Sequence, residues 1–94
     1  MQLWKPVEWN SAKEELLRER RGVSFVDVVT AIEGGDLIDI TPHPNRKRYP
    51  HQRVFVVAVR SYVYSVPFVE DERKVFLKTI IPDSDATKRY LSSK

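Results

Sequence analysis

Lys78 is the first residue that asks for a chemical explanation. It lies in Val75-Phe76-Leu77-Lys78-Thr79-Ile80-Ile81, among apolar neighbours, and an ammonium in such a setting is costly unless it reaches water or a partner. A cation held there suits the neutralisation of a phosphate. The plainer alternative is a stem that runs along the sheet and delivers its amine to solvent at the rim. Further cations and rings accompany it. Arg46, Lys47, Arg48 and Tyr49, flanked by His43 and His51, make a positively charged stretch with a stackable ring. Single-stranded RNA binding uses that composition, with charge for the phosphates and a flat face for a base. A second set comprises Arg53, Lys88, Arg89 and Tyr90. Each of these residues serves equally well as a solvated charge on an ordinary surface.

Other chemistries are poorly provided for. Without cysteine there is neither a disulfide nor a thiolate nucleophile. His43 and His51 stand in a proline-rich segment with no helical His-x-x-x-His spacing, so no metal and no cofactor is expected. There is no Gly-x-Ser-x-Gly elbow and no phosphate-cradling glycine loop. Sixteen Lys+Arg against thirteen Asp+Glu give a net charge of +3, compatible with a nucleic acid or an acidic protein as partner. No apolar run approaches the ~18 residues of a membrane span, and no leader-like apolar segment follows Met1. The expectation is a soluble, cytoplasmic protein without a membrane partner. At 94 residues, the chain is read as one domain, residues 1–94.

The elements that must position these residues follow from periodicity and punctuation. A helix is predicted between Trp9 and Gly22, with Ser11 and Glu14 as a capping box, basic residues in its last turn and Gly22 as its stop. A second begins at Ser24, with Asp27 three residues on, carries Phe25, Val28, Val29 and Ile32 on one face, and ends at Gly34-Gly35. Leu37–Thr41 reads as a strand, Pro42–His51 as a loop, and Arg53–Arg60 as a strand covered on both faces. Tyr62–Val69 follows a turn near Ser61, and Pro67 marks an edge or a bulge. Glu70–Arg73 is a polar hairpin loop. The last strand runs to Ile81, with Val75, Leu77, Thr79 and Ile81 on one face and Phe76, Lys78 and Ile80 on the other. Asp83, Ser84 and Asp85 then cap a C-terminal helix that has Lys88 and Arg89 near its end. The predicted fold class is α+β: two N-terminal helices, a four-stranded antiparallel sheet and a C-terminal helix, in the order α-α-β-β-β-β-α.

Several stretches together carry a family likeness: the Lys13 helix, Arg21-Gly22-Val23-Ser24-Phe25, Gln52-Arg53, and Lys78-Thr79-Ile80-Ile81 before Ala86-Thr87-Lys88-Arg89-Tyr90. From about Trp9 to Leu91 the chain resembles the BrnT family, toxins of bacterial type II toxin–antitoxin systems with a RelE-like fold. The resemblance implies a metal-independent endoribonuclease that cleaves mRNA, blocks translation and is neutralised by a ribbon-helix-helix antitoxin. It implies that a ribose 2′-hydroxyl attacks the adjacent phosphate, on RNA that is free or ribosome-associated. Arg53 matches the family's strand arginine and would hold the scissile phosphate, with Lys78 as second cation. General acid–base work is left to His43, His51 or Tyr90. The expected catalytic set is Arg53, Lys78, His51 and Tyr90, and the expected RNA-binding set is Arg46, Lys47, Arg48, Tyr49, Lys88 and Arg89. Two places depart from the family pattern. Arg21 stands where a histidine is common, and Ser84 and Asp85 replace an arginine and a lysine. The second departure favours an alternative, a non-catalytic module that binds RNA or an antitoxin.

Overall fold

In the computed structural model, which describes residues 3–91, two helices open the fold much as predicted. Helix α1 spans Ser11–Arg21 and ends at Gly22, whose φ of 65° places it in the left-handed region, where a residue without Cβ carries no penalty. Its N-cap is Asn10, which accepts from the Lys13 amide at 3.0 Å. The expected capping box between Ser11 and Glu14 does not form. Glu14 is instead turned inward to 8 % exposure and caps the next helix, α2, Phe25–Glu33. Its Oε1 accepts from the Phe25 N–H at 2.6 Å and its Oε2 from the Val26 N–H at 3.3 Å. Ser24 and Asp27 complete that terminus with a reciprocal capping box, so the orphan donors of the first turn meet both a carboxylate and a hydroxyl.

The sheet corrects the predicted count and sense. Its strands are β1 (Val7–Trp9), β2 (Leu37–Pro42), β3 (Arg53–Val59), β4 (Tyr62–Glu70), β5 (Val75–Leu77) and β6 (Ile81–Pro82). The order is β1-β5-β4-β3-β2, with β6 also paired to β4. Trp9, expected at the head of the first helix, belongs to β1, which runs parallel to β5 while every other pairing is antiparallel. The sheet is therefore mixed rather than a four-stranded antiparallel meander. Three residues have too little length to show a period, and β1 exists because β5 offers it a free edge.

The expected last strand is broken by one extra residue. Phe68 pairs with Leu77 and Ser65 with Ile81, so three steps on β4 face four on the opposing chain. Pro67 sits in that interval. It has no N–H to donate, and its carbonyl accepts from the Lys78 amide at 2.8 Å, which leaves room for a bulge. The insertion reverses the alternation beyond it. Ile80 joins Val75 and Leu77 in the core, while Lys78 and Ile81 are exposed, whereas unbroken alternation would have set Ile80 beside Lys78.

The core lies between the two helices and one face of the sheet. Leu17, Phe25, Val28 and Ile32 meet Phe55, Val57, Phe68, Val75 and Leu77, and Phe55 stacks on Phe68 with centroids 3.9 Å apart. Helix α3, Ser84–Leu91, packs on the opposite face near Val63, whose amide donates to Thr87 Oγ1 at 2.9 Å. Asp83 precedes α3 and caps it as predicted, accepting from the Ala86 amide at 2.9 Å. No helix of the described residues is long and apolar enough to cross a membrane.

The β3–β4 turn is made by Arg60 and Ser61, both at positive φ (48° and 67°). Two such residues match the twist of a two-residue hairpin but favour Asn and Gly. Arg60 has compensation, since its guanidinium donates to the Gly22 carbonyl and pairs with Asp27. Among the described residues no side-chain hydrogen bond or ion pair holds Ser61. Ser61→Gly should therefore raise unfolding free energy by about 1 kcal/mol, seen as a higher urea midpoint with an unchanged slope.

Candidate nucleic-acid interface

The face of the sheet away from α1 and α2 is covered by α3 at one end and open at the other. Alternation on β3 and β4 brings Val54, Val56, Ser65 and Pro67 to this side. The strand ends deliver the polar residues. One cleft is lined by Thr41, His43, Val54, Val56, Ser65, Pro67, Ile81 and Asp83. A neighbouring cleft, which reaches round the sheet to α1, shares His43, Pro67 and Ile81 with it and adds Tyr49, Gln52, Lys78, Thr79 and, from α1, Lys13. A larger cleft between the N-terminal segment and α2 involves Trp4, Pro6, Trp9 and Val29. Its lysine, Lys5, is already held by Glu70 at 2.9 Å.

The proline-rich loop is folded back against this face by its own hydrogen bonds. The Asn45 side chain accepts from the Arg48 amide at 3.1 Å, its carbonyl accepts from the Tyr49 amide at 3.0 Å, and the His43 amide donates to the Gln52 carbonyl at 3.2 Å. The His43 and Tyr49 rings lie 4.5 Å apart. The Asn45 amide donates to His43 Nδ1 at 3.0 Å, so the neutral imidazole carries its proton on Nε2. Arg46, Lys47 and Arg48 are exposed on the loop, and the Arg48 guanidinium lies 5.5 Å from the Tyr49 ring centroid.

Lys78 emerges on this open face. Its amine lies 5.6 Å from the Phe76 ring centroid and its side chain is exposed, so the ammonium remains hydrated while its stem runs over an aromatic surface. Among the described residues no carboxylate lies within ion-pair distance of Lys78, Lys13, Arg46, Lys47 or Arg48.

Arg53 leaves the sheet on the other side. It pairs with Phe68, which pairs with Leu77, and both partners are buried beneath the helices. Its guanidinium lies 5.1 Å from the Phe68 ring and is bound by Glu70. Arg53 and Lys78, read from sequence as a joint phosphate clamp, are thus not brought together. His51 is exposed and lines neither cleft on the open face. The Arg89 guanidinium lies 5.8 Å from the Tyr90 ring centroid on α3, with Lys88 beside them in the chain, and all three lie outside those clefts. The residues missed from sequence are Lys13, Gln52, Ser65 and Asp83. Asp83 was legible as a cap but gave no sign of lining a cleft, because β4 brings it there from a distance.

Glu70 gathers Lys5, Trp4 and Arg53, with Trp4 Nε1 donating at 2.6 Å. The hydrogen bond from Lys5, then that from Trp4, and then the Lys5 and Arg53 charges hold its carboxyl below the ordinary 4.5 despite partial burial. A carboxyl more acidic in the folded state stabilises fully above its unfolded value, and the contribution disappears as pH falls through the folded value. Wild type should lose stability as pH drops below about 4.5, and Glu70→Gln should show a shallower loss. Denaturation midpoints measured from pH 7 to pH 3 would reveal parallel curves if Glu70 were uninvolved.

No group of three potential metal-ligating side chains is found among the described residues. Comparison with known proteins finds no match: no family model, no curated protein and no solved structure is significantly similar to the chain.

Proposed function

We propose that the chain is a BrnT-like, metal-independent endoribonuclease whose RNA lies across the open face of the sheet, and that a ribbon-helix-helix antitoxin neutralises it. The observation that carries this reading is the cleft where Lys78 and Lys13 meet His43 and Tyr49, with no carboxylate of the described residues in ion-pair contact with either lysine. A surface that leaves cations unpaired beside stackable rings suits a polyanion with flat bases. After the short parallel strand β1, the order of two helices, an antiparallel run from β2 to β6 and a final helix supports the RelE-like comparison.

In this reading a 2′-hydroxyl attacks the adjacent phosphorus and the bond to the 5′-oxygen breaks. Lys78 and Lys13 offset charge on the phosphorane. His43 accepts from the Asn45 amide at Nδ1 and so presents only an N–H donor at Nε2; the 2′-hydroxyl proton therefore leaves to water, and a water molecule protonates the departing 5′-oxygen. Arg46, Lys47 and Arg48 hold flanking phosphates.

A second reading has a specific observation in its favour. Asp83 lines the adjacent cleft and Asp85 follows in the first turn of α3, so negative charge stands near the proposed phosphate path. That arrangement suits a module that binds without cleaving. The two readings separate when the purified chain is incubated with single-stranded RNA in a chelator. Fragments ending in 2′,3′-cyclic phosphate support the nuclease. Intact RNA with salt-sensitive binding supports the module, and the absence of both sinks the two together.

A further inference from the structure

We infer that the cleft between His43 and Asp83 is a slot for one unstacked nucleobase, selective for a base with an exocyclic amino group. The inference rests on the nucleic-acid reading and adds a specificity to it. The slot has a volume of about 380 Å³, at the low end of small-ligand pockets. Its floor is apolar: Val54 and Pro67 are buried, Val56 is half-buried, and Ile81 is left 46 % exposed at the rim. A flat heterocycle laid on that floor would cover Ile81 from water.

The polar groups are placed at the edges. On one side His43 Nδ1 is occupied by the Asn45 amide, so the neutral ring offers an Nε2–H donor. On the other, Asp83 Oδ1 accepts from the Ala86 amide, while Oδ2 has a long 3.5 Å contact with the Ser65 hydroxyl. Ser65 also lines the slot, so Oδ2 stands at its wall with acceptor capacity to spare. The carboxylate accepts from the exocyclic amino group of cytosine or adenine at one edge of the base, while the N–H on the facing wall donates to an acceptor farther round the ring, O2 of cytosine or N3 of adenine. Uracil offers carbonyls on both sides of its N–H, and these repel a carboxylate.

Asp83→Asn provides an internal reversal. Asparagine also caps helices, and the Ala86 amide orients its oxygen toward α3, which turns the NH₂ toward the slot. The acceptor at the wall becomes a donor. Fluorescence anisotropy with equal-length 2′-O-methyl oligomers of A, C and U, which cannot be cleaved, measures the outcome. The wild-type chain should bind the A and C oligomers about fivefold more tightly than U, the scale of one net hydrogen bond, and Asp83→Asn should favour U. Val56→Phe, which fills the slot, should remove discrimination and leave a common, salt-sensitive affinity, and it tests the inference even if Asp83→Asn misfolds. Equal binding of all three oligomers by the wild-type chain would overturn the slot while leaving the RNA reading intact. Absence of binding to any oligomer at low salt would remove both.

Discussion

Lys78→Ala should lower RNA cleavage about 100-fold, the scale of losing one preorganised group that stabilises transition-state charge, with little change in folding stability. The two halves of that expectation come from the same geometry. Lys78 lies in the cleft with Lys13, His43 and Tyr49, where its charge faces the proposed phosphate path. Its side chain is exposed and its described contact is the Phe76 ring, so its removal opens no cavity and strands no charge. Arg53→Ala should behave in the opposite manner. It leaves Glu70 with one cation fewer on the helix-covered side, so it should reduce stability modestly and leave cleavage nearly unchanged. Single-turnover rates and urea midpoints on both variants provide the check. Cleavage lost in Arg53→Ala and retained in Lys78→Ala would move the site to the other face.

The largest stability effect is expected at Glu14. Its carboxylate accepts from the Phe25 and Val26 amides at the start of α2 and lies 3.5 Å from the Arg18 guanidinium. The Phe25 bond is buried and short, so most of the effect falls there; the Val26 amide is only partly buried. Glu14→Ala leaves that donor unsatisfied, removes a negative charge from a helix N-terminus and should cost about 3 kcal/mol. For a domain of this size the melting temperature should fall by roughly 10–20 °C. Glu14→Gln retains an acceptor for Phe25 but loses the charge, and should recover about half the loss. A shift below about 0.5 kcal/mol in Glu14→Ala, the scale of an ordinary surface change, would mean that water satisfies these amides and that Glu14 is not the joint between the helices.

Glu14 also shows where sequence reading stops. From local spacing its natural partner was Ser11, because a capping box lies within four residues. The observed partners come from the following helix, and no local rule pairs them. Ser24 with Asp27 was legible because both halves of that box are near neighbours. The strands behave similarly. Arg53–Val59 and Tyr62–Glu70 declare themselves by β-branched and aromatic content, whereas Val7–Trp9 depends on a remote edge. The relation between Arg53 and Lys78 was the least accessible. It required the register of three strands and the extra residue opposite Pro67, and one residue of slip reverses a face. The cationic loop was visible in composition, but its placement beside Lys78 depends on Asn45 closing the loop on itself and on Gln52, next to β3, bonding His43 and Tyr49.

The parallel pairing of β1 with β5 sets the order of events in folding. Val7 lies beside Val75, and the Val75 amide donates to the Pro6 carbonyl at 2.9 Å, so residues from near the two ends of the described chain meet in one ladder. Closing so long a loop gains little until the intervening helices and the β3–β4 hairpin are already in place. The short strand therefore docks late, and during synthesis it must wait for almost all the described chain to be made. In the finished molecule it shields the outer edge of β5, where Val75 and Leu77 would otherwise present a bare apolar strand to other chains.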